Sequence, residues 1–260
     1  MSETLPHRLD RSASILAAPE TVFAFFTDSA RWARWWGAGS AIDARPGGQM
    51  RIRYPDGTEA VGEVKEVAPP ERIVFTYGYA SGKHLAPGAS LVTIRLTPEG
   101  PGTRLELVHE FAEAAVRDLH VQGWRFQLSL FANVVADQEF ANAAAVVDGW
   151  FEAWATADDR ARDEAFARIA AESVRFRDRY SQLEGLAELS AHAGAAQRFM
   201  PGVRLERRGG VRHCQGVVLA DWSAQGPDGQ ERMSGTNVFV MGAGGRLEAV
   251  TGFANPPGRS

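Results

Sequence analysis

The chain of 260 residues holds a single cysteine, Cys214. One thiol excludes an internal disulfide and leaves no cysteine-rich zinc pattern. It fits a reducing cytoplasm, the compartment we expect. Lysine is nearly absent: Lys65 and Lys83 are the only two, and arginine carries the remaining positive charge. The formal net charge is −4, and the two halves share basic and acidic residues equally. Without a basic module, no nucleic-acid partner is expected. No apolar run approaches the roughly 18 residues of a membrane span. The opening stretch "MSETLPHRLDRSASILAAPE" has no basic segment followed by an apolar one, so no secretion signal is expected. Also missing are G-x-x-x-x-G-K-[ST], G-x-G-x-x-G after a strand, G-x-S-x-G and H-E-x-x-H. The six histidines are too dispersed to form a metal site by spacing. Neither a metal nor a cofactor is expected.

What is present is 45% hydrophobic and 23% charged, the balance of a globular chain, with a length that suits two domains. In the first half, "RLDRSASIL" reads as a strand and "APETVFAFFTD" as a helix opened by Pro19. "RWARWWG" closes the helical region, with Gly37 as its stop. Alternating segments follow. Met50, Ile52 and Tyr54 share one face; Ile73, Phe75, Tyr77 and Tyr79 share another; Val92, Ile94 and Leu96, then Leu105, Leu107, His109 and Phe111, do the same. This is an antiparallel meander with one wet side. No proline occurs from Glu113 to Ala171, and Trp124, Leu128, Phe131 and Val135 recur at helical spacing, which predicts a long closing helix.

The second half starts with helices over "EFANAAAVVDGWFEAWAT" and "DDRARDEAFARIAAE". Next come a strand "VRFRD", a helix "LEGLAELSAHAGAAQRFM" and three hairpin-type strands, with turns at "RRGG", "GPDGQ" and "GAGGR". The expected domains are 1–138 and 139–260, both α+β. No Gly/Pro/Ser-rich linker separates them, so the junction is expected to be helical and stiff.

The pieces "SASILAAPETVFAFFTDSARWARWWG", "DARPGGQMRIRYPDG", "GEVKEVAPPERIVFTY", "VTIRLTPEGPGTRLELVHEF" and "GWRFQLSLFANVV" occur in that order. As a series they resemble the SRPBCC superfamily, and within it the AHSA1-like domains, similar to activators of Hsp90 ATPase. The resemblance implies a helix-grip fold of the START and Bet v1 type: a curved antiparallel sheet wrapped on a long C-terminal helix around a cavity. Many relatives hold lipids, polyketides or other apolar molecules there. "WFEAWA", "VRFRDRYSQLEGLAEL" and "GVVLADWSAQGPDGQERMSGTNVFVMGAGGRLEAVTGF" resemble an NTF2-like domain of the SnoaL-like kind, which implies an α+β cone around a deep pocket. That superfamily includes isomerases, cyclases, dehydratases and many non-enzymes, so fold alone does not give function.

Three tryptophans, Trp32, Trp35 and Trp36, crowd into five positions. They are expected to cap the grip, mainly as core, with a wet edge available for a ligand. Candidate ligand contacts in the first domain are Trp35, Trp36, Phe75, Tyr77, His109 and Trp124. His109 sits on an apolar face; its bland reading is a core histidine bonded to a backbone carbonyl, its sharper one an acid/base group. His84 and His120 read as surface. In the second domain Asp178 and His213 are the catalytic candidates. A carboxylate in an apolar pocket suits a general base. The plainer role for Asp178 is to pair with Arg177 or Arg179, or to cap the turn before Tyr180. His213 reads equally as pocket or surface, and Asp221 as a hairpin-end charge. Tyr180, Trp222, Asn237 and Phe239 are candidate pocket contacts. Asn237 stands where SnoaL-like enzymes often carry an acidic residue, and an amide cannot titrate.

Three functional readings follow. The first is a protein binding a small apolar molecule in two cavities, without assured catalysis. The second is a cofactor-independent isomerase, cyclase or dehydratase using the NTF2-like pocket. The third is an accessory of an Hsp90-type chaperone. A homodimer is expected through residues 203–254, on the outer face of the NTF2-like sheet.

Overall fold

Apolar side chains at every second position turn the first half of the chain into one sheet with a buried face. The computed structural model describes residues 4–256. The chain divides into two units, Met1–Ala136 and Asp137–Ser260. In the first, β1 (His7–Ile15) precedes α1 (Pro19–Thr27), α2 (Ser29–Trp36), β2 (Ala41–Ile42), β3 (Gln49–Arg53), β4 (Glu59–Ala68), β5 (Arg72–Tyr79), β6 (Ser90–Glu99), β7 (Gly102–Phe111) and α3 (Ala114–Glu139). The seven strands pair antiparallel in the order β1-β7-β6-β5-β4-β3-β2. α3 turns Trp124, Leu128, Phe131 and Val135 inward, at the helical spacing read above. This is the helix-grip arrangement.

The helical stretch from Pro19 to Gly37 is two helices. Asp28 ends α1 and caps α2, its Oδ1 accepting from the Arg31 backbone N–H at 2.8 Å. Gly37 stops α2 with a φ of 132°, a conformation that costs glycine nothing. β4 carries no strong alternation in the sequence because two of its three inward residues, Ala60 and Gly62, are small. A Cβ at Gly62 would fall on the carbonyl oxygen of Thr76, so the missing side chain is what lets β4 and β5 approach.

The core of this unit is aromatic. Phe131 of α3 stacks on Phe26 with ring centroids 5.0 Å apart and meets Trp35 edge-on at 4.9 Å. Trp35 and Trp36 lie 4.3 Å apart. Trp32 Nε1 donates to the Arg51 carbonyl and Trp35 Nε1 to the Phe25 carbonyl, so both buried indoles have partners.

The second unit runs α4 (Ala143–Ala155), α5 (Asp159–Ile169), β8 (Ala170–Arg177), β9 (Gln182–Glu184), α6 (Gly185–Phe199), β10 (Arg204–Cys214), β11 (Val217–Gln225), β12 (Glu231–Met241) and β13 (Leu247–Ala254). The sheet order is β10-β11-β12-β13-β8-β9, antiparallel except between β13 and β8. Four strands end the described chain, not three. "RRGG" is no turn: it lies inside β10, where the register against β11 shifts between Arg208 and Arg212 and Gly209 takes a φ of 65°. The bulge absorbs the glycines, and the hairpin turns instead at Gln215 and Gly216. Asp221 is accordingly mid-strand, an exposed carboxylate accepting from Thr236 Oγ1 at 2.6 Å. The Arg162 guanidinium is buried and saturated: it donates to Ser190, to the carbonyls of Thr156 and Ala157, and to Asp159. Gly194 leaves the space it occupies.

Phe131 bridges α3 to α1 and α2, so Phe131→Ala is expected to cost about 3–5 kcal/mol. Urea denaturation followed by tryptophan fluorescence measures it.

Candidate functional site

The first unit carries a cavity of about 800 Å³ that opens to solvent on one side. Its wall is built by α2 (Trp35, Trp36), by Tyr54 just beyond β3, by β5 (Tyr77, Tyr79) and by one stripe of α3 (His120, Gly123, Trp124, Gln127). The charged residues among its lining, Arg34, Asp56 and Lys83, are exposed. The wall proper is aromatic and neutral.

A hydrogen-bonded chain explains that neutrality. An indole N–H can only donate, and Trp124 Nε1 lies 2.9 Å from His109 Nδ1. His109 Nδ1 therefore carries the lone pair and Nε2 the proton. Nε2–H donates to Ser90 Oγ at 2.8 Å, and Ser90 Oγ–H donates to the Tyr77 carbonyl at 2.8 Å. Burial pushes the His109 imidazole well below its ordinary value, and the neighbouring His120 pushes it further the same way. His109 is thus a core histidine, as its bland reading had it, with the correction that its partners are an indole and a hydroxyl. The nearest backbone carbonyl is reached through Ser90.

His120 is not on the surface. It is 9% exposed, with Nδ1–H donating to the Val116 carbonyl one turn back at 2.8 Å. That fixes Nε2 as an acceptor, facing the Tyr79 hydroxyl at 3.5 Å. Burial lowers its pKa too, against the raising effect of the Val116 carbonyl. The surface reading failed because α3 turns this position toward Tyr77 and Tyr79, which helical spacing from Trp124 (i−4) could have indicated. Tyr54 and Tyr77 share a hydroxyl–hydroxyl bond of 2.9 Å. Burial pushes the Tyr54 phenol up to about 12 and raises Tyr77 further, with Tyr54 adding to the latter. Neither phenol ionises near neutrality. Trp36 is 5% exposed, and its Nε1–H is buried with no partner among the described residues.

Of the residues singled out from the sequence, Trp35, Trp36, Tyr77 and Trp124 line this cavity, His109 stands behind Trp124, and Phe75 lies in the core against Trp32. Tyr54, Tyr79 and His120 belong with them, brought in by the sheet for the two tyrosines and by the turn of α3 for the histidine.

In the second unit the picked residues separate. Asp178 is exposed and caps its own turn, Oδ1 accepting from the Tyr180 N–H at 2.8 Å. Tyr180 is 77% exposed, so it lines no enclosed pocket. His213 Nδ1 lies 3.3 Å from Asp137, and its Nε2 accepts from the Gly216 N–H at 2.9 Å. That braces the β10–β11 hairpin. Phe239 is fully buried against Trp150 and Phe151. Trp222 and Asn237 are buried on the sheet's inner face, and the Trp222 Nε1–H has no partner among the described residues. Asp178 Cβ and Asn237 Oδ1 both lie beside Gly252. A Cβ at Gly252 would lie 3.2 Å from Asn237 Oδ1 and 3.3 Å from Asp178 Cβ. The histidine on this side of the unit is His192, bonded to Ser181 Oγ at 3.1 Å and edge-on to Trp154. No cluster of metal-ligating side chains occurs among the described residues, and no helix among them is long and apolar enough to cross a membrane.

Residues 16–136 match the family model described as "Activator of Hsp90 ATPase homolog 1-like protein". The first unit is an AHSA1-like domain. The chain is also similar to several solved structures. One is a protein of the SnoaL-like family from Agrobacterium tumefaciens str. C58, at 27% identity over 43% of this chain and 96% of that one, TM-score 0.42. A second is the Mll3558 protein from Rhizobium loti, at 30% identity over 49% and 96%, TM-score 0.42. A third is the Aha1 dimer from Colwellia psychrerythraea, at 17% identity over 49% and 96%, TM-score 0.43. No curated protein matches.

Because the two buried imidazoles of the AHSA1-like unit, His109 and His120, are held below the ordinary value of 6.5, the unfolded chain binds more protons than the folded one below that pH. Stability is therefore full above about pH 6.5 and is lost as pH falls through it. Thermal unfolding scanned from about pH 8 to about pH 5 should show the decline, and His120→Gln should flatten it.

Proposed function

We propose that the protein binds a small, largely apolar molecule in the cavity of its AHSA1-like unit. The observation that carries this reading is the aromatic wall around about 800 Å³, whose charged lining residues are all exposed. A volume of that size holds a drug-sized ligand. Burial holds Tyr54, Tyr77 and His120 in the wall, and His109 behind it, toward their neutral forms, and the lining carboxylate, Asp56, is exposed.

We assign the second unit to the SnoaL-like kind, on its residues "GTNVF" and "VTGF" and on its α+β order. An isomerase-type reading of this unit rests on Asp178 and Asn237 meeting at Gly252. Under it, Asp178→Asn abolishes turnover of a ketone-bearing substrate without unfolding the protein; unchanged turnover would remove Asp178 from the chemistry. The accessory-chaperone reading follows from the family's description alone, and stoichiometric recovery of Hsp90 in a pull-down would put it first.

The outer face of the second unit's sheet fits a homodimer. Val217 pairs with Val240 and Phe253 with Thr236 on that face, and Val217, Val240 and Phe253 are all exposed. Light scattering should give twice the chain mass, and Val240→Glu should halve it.

Gly123 provides the direct test of the cavity. It lines the cavity from α3, and a Cβ there would meet nothing within 4 Å. Gly123→Leu should therefore seat its Cβ without a clash, carry the rest of its side chain into the cavity, and gain about 1 kcal/mol of helix propensity. A native mass spectrum of the wild type that shows an adduct lost on denaturation, with no adduct on Gly123→Leu, is the expected result.

A further inference from the structure

We propose that the AHSA1-like unit pairs with a second copy of itself along α3, in an antiparallel seam of Leu119, Gly123, Phe126 and Leu130 that covers the open side of the cavity. Helical geometry puts these four on one stripe, roughly 140° round α3 from the core stripe of Trp124, Leu128, Phe131 and Val135. Leu119 is 65% exposed and Phe126 68%; Gly123 is exposed and Leu130 half-buried. A helix side that faces only water carries polar side chains, as α3 does at Gln122, Arg125 and Ser129.

The order of sizes along the stripe names a second copy as the occupant. Its spacings are four, three and four, the alternation of a coiled-coil seam. That series reads the same from either end, so a two-fold axis across the helix lays the stripe on itself. The axis falls between Gly123 and Phe126. It sets each Phe126 over the partner's Gly123 and each Leu119 over the partner's Leu130. The largest side chain of the stripe thus meets the position that has none. A Cβ at Gly123 would meet nothing within 4 Å in its own chain, so the recess is open to that ring. Gln122 and Ser129 flank the stripe on its solvent side and are uncharged, as the core of an interface requires. All four seam residues also line the cavity. Each Phe126 therefore joins the wall of the other copy's cavity, whatever that cavity holds. The seam is small beside the roughly 800 Å² per partner of a standard interface, so it is weak and fills only in concentrated protein.

Sedimentation equilibrium of the full chain carrying Val240→Glu, which takes away the sheet-face contact proposed above, reads this seam alone. The expected mass rises from one chain toward two as the protein is concentrated. Gly123→Leu on that background separates a fitted seam from a merely sticky surface. An added apolar side chain strengthens non-specific association, whereas here it occupies the recess that seats Phe126 and should weaken pairing on the order of ten-fold. Phe126→Asp changes a side chain that lies mostly in water in the single chain, and should weaken pairing at least as much. A mass of one chain at every concentration would overturn the inference. So would Gly123→Leu protein that associates as tightly as its parent, or a mass that climbs past two chains. Flotation of the one-chain species with phosphatidylcholine vesicles, lost in Phe126→Asp, would give the stripe to a membrane instead.

Discussion

Much of the AHSA1-like unit hangs on one hydrogen bond, from the Trp124 indole to His109. Through it the long helix α3 is fastened to β7, and through Ser90 the fastening continues to β6 and to the backbone of β5. The bond also decides a protonation state. Because indole supplies the hydrogen, His109 must receive it at Nδ1, and the imidazole is locked as the neutral tautomer with its own proton on the far nitrogen. A charged imidazolium here would break the bond to Trp124 and sit in an apolar core. One bond therefore both fastens the helix to the sheet and keeps the imidazole behind the cavity wall neutral.

Much of this was legible in the sequence, and the reason is periodicity. Period two in "ERIVFTYGY" and "TRLELVHEF", and period 3.6 through Trp124, Leu128, Phe131 and Val135, give strands, faces and closing helix directly. The ordered series of motifs gave the family. What stayed hidden needed pairing information. β4 presents Ala60 and Gly62 to the core, and small residues leave no hydrophobic trace. His120 looks like a surface residue until α3 is rotated into register with β5. Tyr54 enters the cavity because β3 ends one residue before it, and its hydroxyl meets one from a strand two places away in the sheet.

The second unit shows a different limit. Residue type nominated Asp178 and His213 as catalytic candidates, but catalytic grouping is a property of tertiary packing. His213 is occupied with Asp137 and the hairpin turn, while Asp178 meets Asn237 only across Gly252. The double glycine of "RRGG" reads as a turn by composition. Inside a sheet, however, the same residues accommodate a register shift, and the hairpin moves to the one non-glycine residue of this region with a positive φ, Gln215. In both cases the competing principle was context: neighbours on adjacent strands outweighed the preferences of the residues themselves.

Four indoles of the AHSA1-like unit form a contiguous set. Trp32, Trp35, Trp36 and Trp124 are linked by centroid separations of 4.3 to 5.7 Å. Chromophores this close do not absorb or emit as individuals. Their transition dipoles couple, and excitation started on any one of them migrates to the others before it is emitted. The protein thus carries an optical antenna of which three members, Trp35, Trp36 and Trp124, stand in the cavity wall. A molecule that touches any of those three rings alters the light from the whole set.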